Sequence, residues 1–242
     1  YYQTNVGGMN TLLQAMRFHD VNAIVLSSSC ATYGVPARVP IGEDTPQNPI
    51  NPYGRSKRMA EEVMRDVCAA YGQGGIALRY FNAAGADPEG ELGEEHDPET
   101  HLIPLVLQVA AGQRDHVSIF GTDYGTPDGT CIRDYVHVTD LASAHVAALS
   151  QCQPGGFSAF NLGTGLGSSI AEVVACARAV TGKTIVAQEG PRRPGDPPAL
   201  VADAARAREV LGWSPAHSDL EKVIADAWAW MTIHRARVPA GG

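Results

Sequence analysis

The chain has 242 residues, of which 44% are hydrophobic and 18% charged, a composition suited to folded domains with a sizeable core rather than to a disordered segment. Its 18 Lys and Arg stand against 26 Asp and Glu, a net charge of −8, which argues against broad binding to nucleic-acid phosphates, although one or two placed Arg can still hold a small anion. No apolar run approaches the ~18 residues of a membrane span and no secretory signal is recognisable, so neither nucleic acid nor membrane is expected as a partner.

Five Cys (Cys30, Cys68, Cys131, Cys152 and Cys176) are scattered, odd in number and without a CxxC pair. That spacing argues against a zinc site and a disulfide framework and for reduced thiols in the cytoplasm. The chain opens Tyr1-Tyr2-Gln3-Thr4-Asn5, without Met, directly ahead of a helical pattern. It reads as a chain cut in its middle.

In chain order, Asn5 to His19 carries Val6, Met9, Leu12, Leu13 and Met16 at helical spacing. Val21 to Leu26 is a short apolar run with β-branched residues, a buried strand. A polar, Pro-containing stretch follows to Pro52, and Tyr53 to Tyr71 reads as a long helix started by that proline. Ile76 to Phe81 is a second strand, so the order is that of a parallel sheet covered by helices. Residues 83–100 form a long loop rich in Gly, Pro and acid, and loops of that length usually carry function or disorder. Helices are expected at His101–Gly112, Asp140–Ser150 (capped by Thr139), Ser168–Thr181, Asp203–Leu211 and Leu220–Ala236. Strands are expected at Val117–Phe120, Ile132–Val138, Phe157–Leu162 and Thr184–Gln188, with a loop at 190–198.

The strongest chemical cluster is Tyr53-Gly54-Arg55-Ser56-Lys57, preceded by Leu26-Ser27-Ser28-Ser29. Tyr53 and Lys57, four apart on a helix, share a face. An ammonium beside a phenol favours the phenolate and lowers its pKa from about 10 toward neutrality, which suits a general base. Ser29 stands at the end of a parallel strand, the edge where α/β sheets place ligands, and its hydroxyl can relay a substrate proton to Tyr53. A Tyr-x-x-x-Lys pair alone is common on solvated helices. The order strand, Ser, loop, Tyr-x-x-x-Lys, helix, strand is what makes this one distinctive.

Nine segments carry a resemblance over essentially the whole chain: Tyr2–Gly8, Leu26–Gly34, Pro52–Lys57, Leu78–Gly85, His101–Pro104, Ile119–Asp128, Gly129–Asp140, Phe160–Ser169 and Arg192–Asp203. Together they resemble the UDP-glucose 4-epimerase family of the extended short-chain dehydrogenase/reductases. The resemblance implies an α/β fold with a Rossmann-like parallel sheet, incomplete because its first strands are missing, plus a smaller α/β UDP-sugar-binding domain. Residues 1–81 would be the remaining part of the NAD-binding domain. Residues 82–242 would mainly bind the UDP-sugar, with segments near 130–165 returning to the main sheet.

The implied activity is NAD-dependent interconversion of UDP-galactose and UDP-glucose by inversion at C4 through a 4-keto intermediate, in galactose metabolism. Tyr53 would be the base, Lys57 would lower its pKa and hold the nicotinamide ribose, Ser29 would relay the proton, and Asn5 and Phe81 would lie near the cofactor. Asn82, His101, Leu102, Ser118, Ile119, Phe120, Arg133, Arg193 and Asp196 would surround the UDP-hexose, and Leu200 would line the hexose pocket. Arg suits diphosphate because it binds bidentately. A salt bridge of Arg133 with Asp134 or Asp140, and a simple exposed loop charge at Arg193, stay open. So do a related epimerase on UDP-pentoses or UDP-uronates, and a non-catalytic UDP-sugar-binding module. The resemblance further implies a homodimer through helices 5–19 and 53–71, with Met9, Met16, Val63 and Val67 as contacts or else buried within one subunit.

Three features point elsewhere. Gly163-Thr164-Gly165-Leu166-Gly167 misses the G-x-G-x-x-G spacing and reads as a strand-to-helix turn capped by Ser168 or Ser169. The dinucleotide fingerprint itself is absent from the sequence, so the main NAD-phosphate site is expected outside it, and inactivity of the chain alone stays open. Glu94-Glu95-His96-Asp97 with His101 matches no zinc motif and reads as a solvated acidic loop, with no metal expected.

Overall fold

A computed structural model describes residues 1–193 and 195–237; Pro194, inside the Arg192–Asp203 segment, and the last five residues lie outside. The chain divides into two units. The first combines Tyr1–Phe81, Leu141–Gly165 and Leu200–Ser214, and the second combines Asn82–Asp140, Leu166–Ala199 and the chain from Pro215 onward.

The first unit is built on a parallel sheet in the order β1-β2-β7, with β1 at Ala23–Ser29, β2 at Gly74–Tyr80 and β7 at Phe157–Leu162. Register runs from Ala23 opposite Gly74 to Ser29 opposite Tyr80, and from Gly75 opposite Phe157 to Tyr80 opposite Leu162. β2 is buried along nearly its whole length, as a central parallel strand must be. The first helix begins as a wide π-helical turn, Tyr2–Gly7, and continues as α1, Gly8–Phe18. It packs with α2, Pro52–Tyr71, over one core. Met9, Leu13 and Met16 of α1 meet Ala60, Met64 and Cys68 of α2 there, each set three or four residues apart. Burying each of the larger side chains stabilises the unit by roughly 1.5–3 kcal/mol.

Helix α2 has clear terminal signals. The Asn51 side chain caps it by accepting from Gly54 N at 2.8 Å, Pro52 occupies the first turn, and Gly72 ends it in the left-handed region. A short 3-10 turn at Cys30–Thr32, helix α4 (Val138–Leu149) from Leu141 onward, and α6 (Ala205–Leu211) also belong to this unit.

The second unit pairs β3 (Asn82–Ala84) with β6 (Tyr135–His137) in parallel, β4 (Val117–Phe120) with β9 (Ala187–Gly190) in parallel, and β5 (Ile132–Arg133) with β8 (Ser168–Ser169) antiparallel. Its core lies among α3 (Leu102–Ala110), α5 (Ile170–Thr181) and α7 (Leu220–Arg237), where Ile103, Val106, Leu107, Val173, Ala177, Val223 and Ile224 are buried together. A short strand β10, Ala199–Leu200, ends its 166–199 stretch.

Some boundaries differ from the pattern reading, each for a local reason. The expected strand Ile132–Val138 breaks at Asp134, because β5 and β6 pair with different neighbours and the buried Asp134 spends its carbonyl on Asn82. Helix α4 starts at Val138, so Thr139 lies within the first turn and is not the cap; its N–H is taken by His137 Nδ1 at 3.1 Å. The expected strand Thr184–Gln188 sits three residues later, in register with β4. Asp203 does not open α6, because its N–H is bonded to the Ile41 carbonyl at 2.9 Å. The turn after β7 is capped by Ser169, which forms a reciprocal box with Glu172. Among the described residues no helix is long and apolar enough to cross a membrane.

Candidate active site

The expected triad is divided between the C-terminal end of β1 and the first turns of α2. Ser29 is the last residue of β1, is 7% exposed, and accepts a hydrogen bond from Ala31 N at 3.2 Å as the chain turns away. Tyr53 and Lys57 stand on the first turns of α2. Gly54 lets that helix approach, since a Cβ there would lie 2.3 Å from the Ala31 carbonyl oxygen. The small residue between Tyr53 and Lys57 thus brings the phenol toward the strand end.

The electrostatics of the triad differ from the expectation in one respect. Burial pushes the Tyr53 phenol above its ordinary value, and the hydrogen bond with Ser29 is the main influence that lowers it. Lys57 Nζ is 5.7 Å from the Tyr53 ring centre and donates to the Ser27 carbonyl at 3.0 Å. The expected lowering of the phenol by Lys57 is not what this arrangement gives: the phenol's net direction is upward, with the Ser29 hydrogen bond opposing the effect of burial. Burial pulls the Lys57 ammonium below its usual range. Asn5 Nδ2 donates to Ser56 Oγ at 2.8 Å, and Ser56 donates in turn to the Tyr53 carbonyl at 2.8 Å, so the first helix is tied to the turn that holds Tyr53.

Phe81 is buried in a second cluster of this unit with Cys30, Tyr33, Ile41 and Ala202, and Leu200 packs against it. Beneath β1 lies a network that pattern reading missed. Arg79 forks onto Glu61 at 2.6 and 3.0 Å, both side chains being almost wholly buried. Glu61 also accepts from Ser28, adjacent to Ser29, and from Gln47. Tyr33 accepts from Arg79 at 2.9 Å and donates to Asn161 at 2.7 Å, and burial pushes its phenol up to about 12. A buried Glu in α2 and a buried Arg in β2 look like ordinary surface charges in one dimension; only the pairing of helix with strand joins them.

The expected nucleotide and sugar residues, other than Leu200, lie in the second unit. Arg133 donates to the carbonyls of Ile132 and Pro197 at 2.8 and 3.0 Å, and its salt bridge is to Asp196, at 3.5 Å, rather than to Asp134 or Asp140. Arg193 is more than a loop charge: its guanidinium stacks 3.9 Å above the Phe120 ring centre. Asp196 N closes a turn onto the Arg193 carbonyl, so Arg133, Asp196, Arg193 and Phe120 form one linked group. Ser118 and Ile119 precede Phe120 on β4 and are half-buried. Asn82 spends its side-chain amide on the Asp134 carbonyl at 3.0 Å.

His101 caps α3 without a side-chain bond to the helix, and Leu102 packs against the core. The expected acidic loop is exposed over residues 91–98. Glu94, His96, Glu99 and His101 converge, with one potential ligand atom from each lying within 4.8 Å of the others.

Comparisons with known proteins show what the chain is similar to. Residues 1–163 match the model of the NAD dependent epimerase/dehydratase family. A UDP-glucose 4-epimerase of Streptococcus mutans is 54% identical over 231 residues, spanning 95% of this chain and 69% of the relative. The crystal structure of the UDP-glucose 4-epimerase of Brucella ovis in complex with NAD superposes with a TM-score of 0.90 at 55% identity, over 94% of this chain and 70% of that one. The structure from Bifidobacterium longum, in complex with NAD+ and UDP, gives 0.90 at 41% identity over 96% and 70%. The chain belongs to the NAD dependent epimerase/dehydratase family.

Proposed function

We propose that the protein interconverts UDP-glucose and UDP-galactose by inverting C4 of the hexose, with NAD as cofactor. The observation that carries this reading is the placement of Ser29 at the end of β1 and of Tyr53 and Lys57 on the first turns of α2. The named activity and bound NAD of the relatives support it. So does the bound UDP of the Bifidobacterium structure.

The residues present fit the nicotinamide-ribose end of the cofactor. The half-buried Lys57 ammonium has three N–H donors, and Ser27 takes one. The other two suit a ribose diol. When bound, NAD would supply the redox chemistry, as a reversible acceptor of hydride from the sugar. Tyr53 accepts the proton of the reacting hydroxyl and gives it back, and Ser29 hydrogen-bonds that hydroxyl and the phenol. Lys57 orients the ribose and supplies positive charge when the phenol ionises. Asn5 holds the Tyr53 turn through Ser56. Arg193 and Arg133 take the diphosphate, Asn82, His101, Leu102, Ser118, Ile119, Phe120 and Asp196 serve the nucleotide and sugar, Phe81 serves the cofactor, and Leu200 serves the hexose.

Replacing Tyr53 with Phe tests the assignment. Turnover of UDP-galactose in the presence of NAD should fall at least ~10²-fold, the ordinary worth of a positioned base. UDP-sugar affinity should stay within about threefold, because the ring is kept and only a proton acceptor is lost. Full turnover in the Phe variant would remove Tyr53 from the mechanism, and an inactive parent that still binds UDP-sugar would favour a binding module.

Two finer readings accompany this one. The protein works in the cytoplasm, in keeping with its five free thiols. It forms a homodimer through α1 and α2, where Leu12, Phe18, Met59 and Tyr71 remain exposed. Met9 and Met16 are spent on the subunit's own core, with Val63 and Val67 packed against it.

A further inference from the structure

The loop leading into α3 gathers four side chains with metal-binding chemistry. His101 Nδ1 lies 2.7 Å from Glu94 Oε1 and 3.0 Å from Glu99 Oε1. The His96 and His101 rings stack with centroids 5.2 Å apart and planes 18° from parallel. The Glu99 side chain is only 7% exposed and is held by the backbone, its Oε1 accepting from Thr100 N at 2.6 Å and His101 N at 2.7 Å.

Two carboxylates and two imidazoles face one another in this cluster. Two carboxylates converge on one ring nitrogen, which has at most one proton to give. Among the described residues neither Glu94 nor Glu99 is ion-paired with a Lys or Arg. A divalent cation between them would bond to both carboxylates and accept the imidazole lone pairs.

We propose that Glu94, His96, Glu99 and His101 form a binding site for a divalent metal of the zinc class. Two imidazoles with two carboxylates suit zinc and its first-row neighbours, whereas magnesium and calcium prefer oxygen alone. A tetrahedral ion with bonds near 2.0–2.1 Å needs ligand atoms ~3.3 Å apart. The nearer pairs already stand at 2.7 and 3.0 Å. The widest separation, 4.8 Å, closes by side-chain rotation in an exposed loop. The ligands occupy positions i, i+2, i+5 and i+7 of one short segment, so little chain entropy is lost on closure. Because His101 is the N-cap residue of α3, the ion would clamp the acidic loop to the first turn of that helix. It has no part in the proton transfer assigned to Tyr53. The spacing matches no common zinc motif, which is why the sequence pattern hides it.

The test uses the untagged full chain, stripped with chelator and titrated with Zn²⁺ by calorimetry and with Co²⁺ by visible absorbance. One ion per chain, held with a dissociation constant in the micromolar range or below and not displaced by excess Mg²⁺, is the expected result. Cobalt should show tetrahedral d–d bands without a thiolate charge-transfer band. His96→Gln and Glu94→Gln should each weaken binding at least ~10-fold, with unchanged circular dichroism because both residues are exposed. No stoichiometric binding, equal binding by both variants, or a cobalt–thiolate band placing the metal on cysteine would each overturn the proposal.

Discussion

Ser29 is the residue on which the pH behaviour of the site turns. Its hydrogen bond is the main influence lowering the Tyr53 phenol, against a burial effect that raises it. Removing it in Ser29→Ala leaves burial and the neighbouring Tyr80, Cys30 and Tyr1 unopposed, so the phenol titrates at higher pH. If the phenolate is the active form, the rising limb of kcat/KM against pH should move to the alkaline side in that variant. An unmoved or acid-shifted limb would show that Ser29 does not tune Tyr53. Arg79 belongs to the same scale. It is the buried cation facing the buried Glu61 carboxylate, and Arg79→Met leaves that carboxylate without a charge partner. Breaking a buried pair from one side costs about 3–5 kcal/mol, which urea unfolding would measure. A loss below 1 kcal/mol would mean that Ser28 and Gln47 suffice to hold Glu61.

At the scale of elements, α2 is held close to the strand end by the absence of one side chain. Gly54→Ala would set a methyl group 2.3 Å from a backbone oxygen, a contact that rotating a side chain cannot relieve. The helix must shift, at a cost of roughly 1–3 kcal/mol as in other overpacked positions. Turnover should drop with it, since Tyr53 and Lys57 ride on the same turn. Denaturation midpoints and kcat together check this, and a variant with parental values in both would show that the helix has slack. The triad was legible in the sequence because its members sit at fixed offsets inside well-patterned elements: Ser29 after an apolar strand, Tyr53 and Lys57 on one helical face. Helix α2 was readable for the same reason, with Pro52 at its start and Gly72 at its end. What pattern could not reveal depends on partners distant in sequence. The break at Asp134 follows from two separate strand pairings, the Arg79–Glu61 fork from a helix meeting a strand, and the convergence on His101 from a loop folding back on its own carboxylates.

At the scale of the whole molecule, association is the property to test. Leu12 of α1 is 50% exposed and Met59 of α2 is 42% exposed, and a dimer through these helices would cover both. Sedimentation at micromolar concentration should report two chains, and Leu12→Glu should shift the species to one by placing a charge in the apolar contact. A single chain in the parent protein, or a dimer indifferent to the substitution, would move the interface off α1.

The sheet of the first unit also dictates an order of events as the chain is made. β1 and β2 can join as soon as both exist, but β7, which covers the other edge of β2, is encoded beyond the entire Asn82–Asp140 stretch. Until the ribosome has passed it, the apolar run Ile76-Ala77-Leu78 presents an unpaired edge, the kind of template on which chains stick to one another. The nascent protein therefore carries the main sheet of its first unit half-built through the synthesis of the other unit. Its yield depends on how well that bare edge is sheltered in the interval.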